Sequence, residues 1–202
     1  MKKIFTIVVI IMSFTVQAQK GKTIYFPQVF FDKKEATNSL AEGKSTIEGV
    51  AFTKQKNSLG FKPLLAEKHY AREGTVVMLF PCTSYFDEWY RLRNKYENKN
   101  TSVFMSQEAF EYRIEAKTDA YGRFKFTNLK PGKYYLETII DFSAVGSYNE
   151  QVGNTNYYNG YGAYVGSSPI YQKYYYNYTL ENREYEFVEI DRDGELIEIK
   201  LK

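Results

Sequence analysis

The stretch Thr118-Asp119-Ala120-Tyr121-Gly122-Arg123-Phe124-Lys125-Phe126-Thr127-Asn128-Leu129-Lys130-Pro131-Gly132-Lys133-Tyr134-Tyr135-Leu136 decides the fold. Two turn signals bracket a short alternating run. Gly122 supplies the positive φ that closes the first turn, and Pro131-Gly132 marks the second. Between them Phe124 and Phe126 fall on one side of an extended chain, with Arg123 and Lys125 on the other. Leu129 and Tyr134 add to the apolar side. These side chains fill space between sheets, and none of them is a nucleophile or a base.

The same pattern spreads outward. Upstream, Phe110, Tyr112, Ile114 and Ala116 alternate with Glu111, Arg113, Glu115 and Lys117, which predicts a strand with one wet face. Downstream, Tyr134, Leu136, Thr138, Ile140 and Phe142 share one face of a strand over 133–142. Ile47–Phe52 reads as a first strand, and Thr75–Phe80 as a strand buried on both faces. Tyr185–Ile190, the turn Asp191-Arg192-Asp193-Gly194 and Glu195–Leu201 predict a closing hairpin on an Asp-Gly signal. Roughly six to eight short strands predict a mainly β fold: a single antiparallel Greek-key β-sandwich over residues 45–202.

Four segments stand apart. Tyr85, Trp89, Leu92 and Tyr96 recur at helical spacing, so 84–97 is expected as an inserted amphipathic helix, opened by Ser84 and Asp87 and packed on a sheet. Residues 19–44 form a leader with a short helix capped by Asp32, sharing Ala36 and Leu40 on one face and ended by Gly43. Residues 57–72 read as a loop. Residues 143–170, rich in Gly, Asn, Ser and Tyr, are expected as a loop insert, with strand structure resuming near Tyr171.

The N-terminus predicts export. Lys2 and Lys3, the apolar run Ile4–Phe14 and Val16-Gln17-Ala18 make residues 1–18 a signal peptide, with Gln19 first after cleavage. No Cys sits at that junction, which argues against a lipoprotein. No later stretch reaches the roughly 20 apolar residues of a spanning helix. The expected localisation is periplasmic or cell-surface, with no transmembrane segment after cleavage. Once Lys2 and Lys3 are removed, basic and acidic residues are almost equal, so no nucleic-acid partner is expected.

The quoted stretch resembles the carboxypeptidase regulatory-like domain family: Thr-Asp, a Gly, alternating aromatics, a Leu, a second Gly, then Tyr. Ile47-Glu48-Gly49-Val50 and Gly74-Thr75-Val76-Val77-Met78-Leu79 resemble that family's first two strands. The resemblance covers 45–142 and, with the closing segment near 179–202, most of the mature chain. It implies a transthyretin-like (prealbumin-like) sandwich serving as a stabilising or binding module beside peptidases, outer-membrane transporters or surface proteins. The helix at 84–97 and the Tyr-rich insert depart from its minimal pattern.

Composition narrows the chemistry. His69 is the one histidine and Cys82 the one cysteine. A carboxypeptidase zinc site needs two His and a Glu. Intradiol dioxygenases, which resemble this fold, require two Tyr and two His. Hydroxyisourate hydrolases resemble it too, but use several His and a Tyr-Arg-Gly-Ser end, whereas this chain ends Ile-Lys-Leu-Lys. A His69–Cys82 couple lacks an orienting partner, so the expectation is a surface imidazole in a loop and a buried thiol. Asp191, Asp193 and Glu195 lack the long loop and distant Glu of a calcium site. No catalytic residue, metal or cofactor is expected.

The Tyr-rich insert is where function is expected. Of 20 Tyr, ten lie between Tyr148 and Tyr178. Tyr with Asn, Gly and Ser makes adaptable contact surfaces of low conformational entropy. A self-packed cover, a protein contact and a glycan platform compete. The expectation adopted is a non-enzymatic module contacting an envelope protein through Tyr157, Tyr158, Tyr161 and Tyr164, with Arg91 and Arg93 of the helix's basic side. Carbohydrate binding by the Tyr-rich insert is the alternative.

Overall fold

In the computed structural model, which describes residues 22–57 and 59–202, Asp119 shapes the first turn of the decisive stretch. Its carboxylate accepts from the backbone N–H of Tyr121 (2.8 Å) and of Arg123 (2.9 Å), and Gly122 sits at φ 72°. The strand that follows, Arg123–Leu129, buries Phe124, Phe126 and Leu129. The signal peptide and its cleavage site lie outside the described residues.

In chain order the elements are β1 (Thr23–Tyr25), α1 (Lys33–Ser39), β2 (Ser45–Thr53), β3 (His69–Tyr70), β4 (Val76–Pro81), α2 (Ser84–Tyr96) and β5 (Thr101–Val103). They continue with α3 (Gln107–Glu111), β6 (Ile114–Lys117), β7 (Arg123–Leu129), β8 (Gly132–Tyr158), β9 (Tyr164–Ile190) and β10 (Leu196–Leu201). Sheet 1 centres on β2, with β10 along one edge and β7 along the other. Ala51 donates to the Gly122 carbonyl and accepts from Ala71, so β3 takes over that second edge where β7 ends. Sheet 2 runs β6-β4-β8-β9, all antiparallel. β1 and β5 make a small parallel pair.

The period of two decides what each face touches. Ile47, Ala51, Phe124, Phe126 and Leu201 of sheet 1 meet Val77, Leu79, Tyr134, Leu136, Ile140, Val188 and Ile190 of sheet 2 in one core. The opposite face of sheet 2 is dry as well at its base. There Phe80 and Tyr135 pack under Phe86, Trp89 and Leu92 of α2, beside Val103 of β5. The strand expected over Thr75–Phe80 is Val76–Pro81, and from Val77 to Phe80 alternate residues enter two different cores, while Val76 is exposed.

Several expectations change. The closing segment is not a hairpin. β10 runs parallel to β2, with Leu196 opposite Thr46 and Leu201 opposite Ala51. The turn before it is fastened to the start of β2: Ser45 Oγ donates to the Arg192 carbonyl and accepts from the Gly194 N–H, while Asp193 accepts from the Lys44 N–H. That fastening delivers Ile197, Ile199 and Leu201 to the core from sheet 1, so the sheets are not purely antiparallel.

Phe110 and Tyr112 are not in a strand. Ser106 caps the short helix α3, and only Ile114–Lys117 is extended. The N-cap of α2 is Thr83, which accepts from the Phe86 N–H; Ser84 instead donates to Glu35 from both its backbone and its hydroxyl. Asp32 does cap α1, but the helix ends at Leu40. Gly43 serves close approach, since a Cβ there would lie 2.2 Å from the Leu129 carbonyl oxygen. His69 is in strand β3, its ring stacked on Phe142 at 4.5 Å. The expected loop at 143–170 is almost entirely strand.

Candidate binding surface

β8 and β9 are each 27 residues long, and sheet 2 uses only their bases. β4 pairs with β8 from Tyr134 to Thr138 and no further. Beyond Ala144 and Tyr178 the two strands pair only with each other, out to Tyr158 and Tyr164. Val145–Tyr158 against Tyr164–Asn177 makes a ribbon that extends roughly 45 Å past the core. Both of its faces are exposed along nearly its whole length, and both of its edges are unpaired.

The registers sort its side chains. Ala144 opposes Tyr178, Gly146 opposes Tyr176 and Tyr148 opposes Tyr174, so these residues share the face that is continuous with Phe142 and the core. Their rings form a strip: Tyr148 on Tyr174 at 5.6 Å, Tyr148 on Tyr176 at 6.3 Å, Tyr176 on Tyr178 at 5.7 Å. Gly146 makes the strip continuous. A Cβ there would meet the Tyr176 ring at 2.5 Å, so the ring lies flat over bare backbone, a cross-strand arrangement that compensates a strand glycine. The other face carries Tyr171 and Tyr175, with Lys173 Nζ 5.5 Å from the Tyr175 ring. Glu150 and Lys173 are the charged residues between Val145 and Asn177.

The tip is built by Asn159. Its side-chain oxygen accepts from the N–H of Tyr161 (3.0 Å) and Ala163 (2.9 Å), and Gly162 takes φ 78°. The four expected anchors gather here: Tyr158 and Tyr164 pair at 6.0 Å, Tyr157 is next to them, and Tyr161 is 99% exposed. The strip of Tyr148, Tyr174, Tyr176 and Tyr178 was not among the expected site residues. Its signal in the sequence is obscured, because Tyr175 of the opposite face interrupts the period of two that Tyr174, Tyr176 and Tyr178 would otherwise show.

Arg91 and Arg93 do not join this surface. Both belong to α2, which covers Tyr135 and touches the rings of the part-exposed Tyr185 and Phe187 at the base of sheet 2, roughly 65 Å from the tip along β9. Arg91 is exposed and pairs with Glu88 at 2.7 Å. Arg93 is buried. It bonds Glu97 (2.7 Å) and Glu137 (2.7 Å) and lies over the Trp89 ring. Arg183 reaches the same carboxylates, so no charge beneath the helix is left uncompensated. Burial first, then the Glu137 carboxylate, holds the Tyr135 hydroxyl well above the usual tyrosine range.

The remaining reactive groups are committed elsewhere. Cys82 is half-buried rather than buried as expected; its partial burial, with help from the Asp87 carboxylate, pushes the thiol up to about 12, which keeps it protonated and poorly nucleophilic. His69 is stacked on Phe142, at the end of sheet 1, whereas Cys82 packs beside Phe80 under α2. Glu184, buried on the core side of β9, accepts from Thr53 and Lys62. Asp193 and Glu195 both accept from backbone N–H groups.

No family model matches the chain, and no curated protein matches it. Among solved structures, a candidate carbohydrate-binding protein from Pseudomonas aeruginosa is similar, with a TM-score of 0.52 and 19% identity. The match covers 86% of this chain and 97% of that one. At that identity the likeness bears on the course of the backbone alone.

Proposed function

We propose that this chain is an exported, non-catalytic binding module of prealbumin-like architecture whose tyrosine ribbon contacts a protein partner in the cell envelope. The observation that carries this is the ribbon itself. A two-stranded hairpin is marginal in water, and an unpaired strand edge with few charges invites pairing. Here such an element runs past the core with rings on both faces and open edges on both strands. A protein partner can cover faces and edges together, adding main-chain hydrogen bonds to aromatic contacts. The high Cys82 thiol, the stacked His69 and the engaged Glu184 support a role without catalysis.

A second reading is carbohydrate binding by the same ribbon. It is favoured by the likeness to the Pseudomonas aeruginosa candidate carbohydrate-binding protein and by the continuous Tyr strip, a surface on which sugar rings stack. One comparison separates the two. The register lets Asn-Gly replace residues 146–176, joining Val145 to Asn177 across a tight turn. Wild type and this truncated chain are each presented to envelope extract and to a panel of polysaccharide gels. The protein reading expects a defined partner captured by wild type alone, with no gel retention. Retention of wild type alone on a polysaccharide gel, without a protein partner, transfers the function to glycan. Identical behaviour of the two chains removes the ribbon from function.

A further inference from the structure

The outer face of sheet 1 holds a concavity of about 740 Å³ that the ribbon does not touch, within the range of small-ligand sites. Val50 and Phe52 of β2 form its floor. Val50 stands between Lys200 on β10 and Arg123 on β7, its partners in the two flanking ladders. With strands spaced about 4.8 Å apart, the two cations are bound to a separation of roughly 10 Å across one apolar residue. Lys68 adds a third, its Nζ 4.9 Å from the Phe52 ring. No carboxylate lines this space.

Three cations stand here against one acid, the Asp119 carboxylate on Arg123, which leaves positive charge that an anion can join. Lys68 and Lys200 have no ion-pair partner among the described residues. Asp119 engages Arg123 through Nε only (2.8 Å), which leaves the terminal nitrogens of its guanidinium for a ligand. One row along the sheet the pattern differs, for Lys125 there bonds Glu48 at 3.3 Å. Two rings flank the cations: Tyr70 is 49% exposed and Tyr121 69%.

We infer that this face binds an acidic oligosaccharide, its carboxylates paired with Lys68, Arg123 and Lys200 and its sugar rings stacked on Tyr70 and Tyr121. Aromatic faces accept C–H groups, and guanidinium with ammonium accepts carboxylate. An extended acidic peptide fits less well. The site lies on a sheet face, where backbone donors and acceptors are spent in the ladder, so a peptide gains no strand pairing. A single-stranded nucleic acid also stacks on rings, but its binders carry the basic excess that this chain lacks. The inference is independent of the ribbon's role.

Calorimetry on the chain from Gln19 onward tests it with tetragalacturonate, its methyl ester and a short oligothymidylate. The inference expects tetragalacturonate to bind and the ester to bind at least about tenfold more weakly. It expects a loss of about tenfold or more in the Lys68→Gln/Lys200→Gln double variant and in Tyr121→Ala, and unchanged affinity in the chain lacking residues 146–176. All three substituted side chains are exposed, and the thermal midpoint of each variant checks that the fold is intact. Failure to bind tetragalacturonate, equal affinity for the ester, tighter binding of oligothymidylate, or loss of binding with the ribbon would each overturn it.

Discussion

A methyl group at Gly49 would lie 2.5 Å from the Ile199 carbonyl oxygen and 3.0 Å from the Phe124 ring, although the backbone there is ordinary strand. β2 is so tightly flanked at this point that only hydrogen fits. Gly49→Ala should therefore cost about 1–3 kcal/mol by overpacking, read as a lower urea midpoint with an unchanged slope. A midpoint equal to wild type would mean that β10 and β7 give way freely. Cys82 offers a chemical counterpart. With its thiol pushed up to about 12, the folded protein carries far less thiolate at pH 8 than a free thiol, of which about a quarter is ionised there. Iodoacetamide at pH 8 should label the folded protein far more slowly than the urea-unfolded one, and the gap should narrow as pH rises toward 12. Equal rates at pH 8 would contradict the burial of this group. Arg93 shows why single residues mislead in the sequence. Trp89, Leu92, Arg93 and Tyr96 fall on one helical stripe, yet charge type placed Arg93 outside. Inside, Glu97 and Glu137 are what make its burial tolerable; Glu97 stands at i+4 on the same helical stripe, whereas Glu137 comes from β8, which spacing within 84–97 cannot relate to it.

At the scale of elements, alternation worked wherever one face of a strand is dry. Phe124 and Phe126 and the run from Tyr134 to Phe142 show it. It failed in two ways. Around Phe110 an apolar-polar alternation spans a one-turn helix and a connection, because Phe110 packs on Phe80 from a helix while Ile114 packs on the two-sheet core from a strand. In the ribbon the pattern vanishes, since both faces are wet and apolar-polar contrast has nothing to report. Gly, Asn and Ser then read as loop, and Tyr175 of the opposite face interrupts the period of two that Tyr174, Tyr176 and Tyr178 would otherwise show. Every residue of both cores lies outside 145–177. Replacing residues 146–176 by Asn-Gly should therefore leave the thermal midpoint within about 4 °C of wild type, a shift of roughly 1 kcal/mol or less in a domain of this size. A collapse of the midpoint would make the ribbon part of the fold rather than an attachment to it.

At the scale of the whole molecule, the chain divides its labour. Sheet 1, sheet 2 and α2 stack in three layers around two cores, and the ribbon carries the tyrosines away from them. The two-sheet core was legible in the sequence, because turn residues and alternation agree at Gly122 and Gly132. The direction of the last strand was not. The Asp193-Gly194 pair resembles a hairpin turn, and only the bonds from Ser45 and Lys44 send β10 to the other sheet, contacts separated by most of the chain. The tip tyrosines were legible as a group, but their distance from α2 depends on strand lengths that composition obscures. The claim on which the account rests is that the ribbon, and not the base, meets a partner. Photo-crosslinking in the producing cell tests it most directly, with benzoylphenylalanine placed in turn at Tyr148, Tyr158, Tyr161 and Tyr176, and at the exposed Tyr185 near α2 as the control. The account predicts one protein adduct of the same size from the ribbon positions and none from Tyr185. No protein adduct from any ribbon position, or adducts from Tyr185 alone, would contradict it.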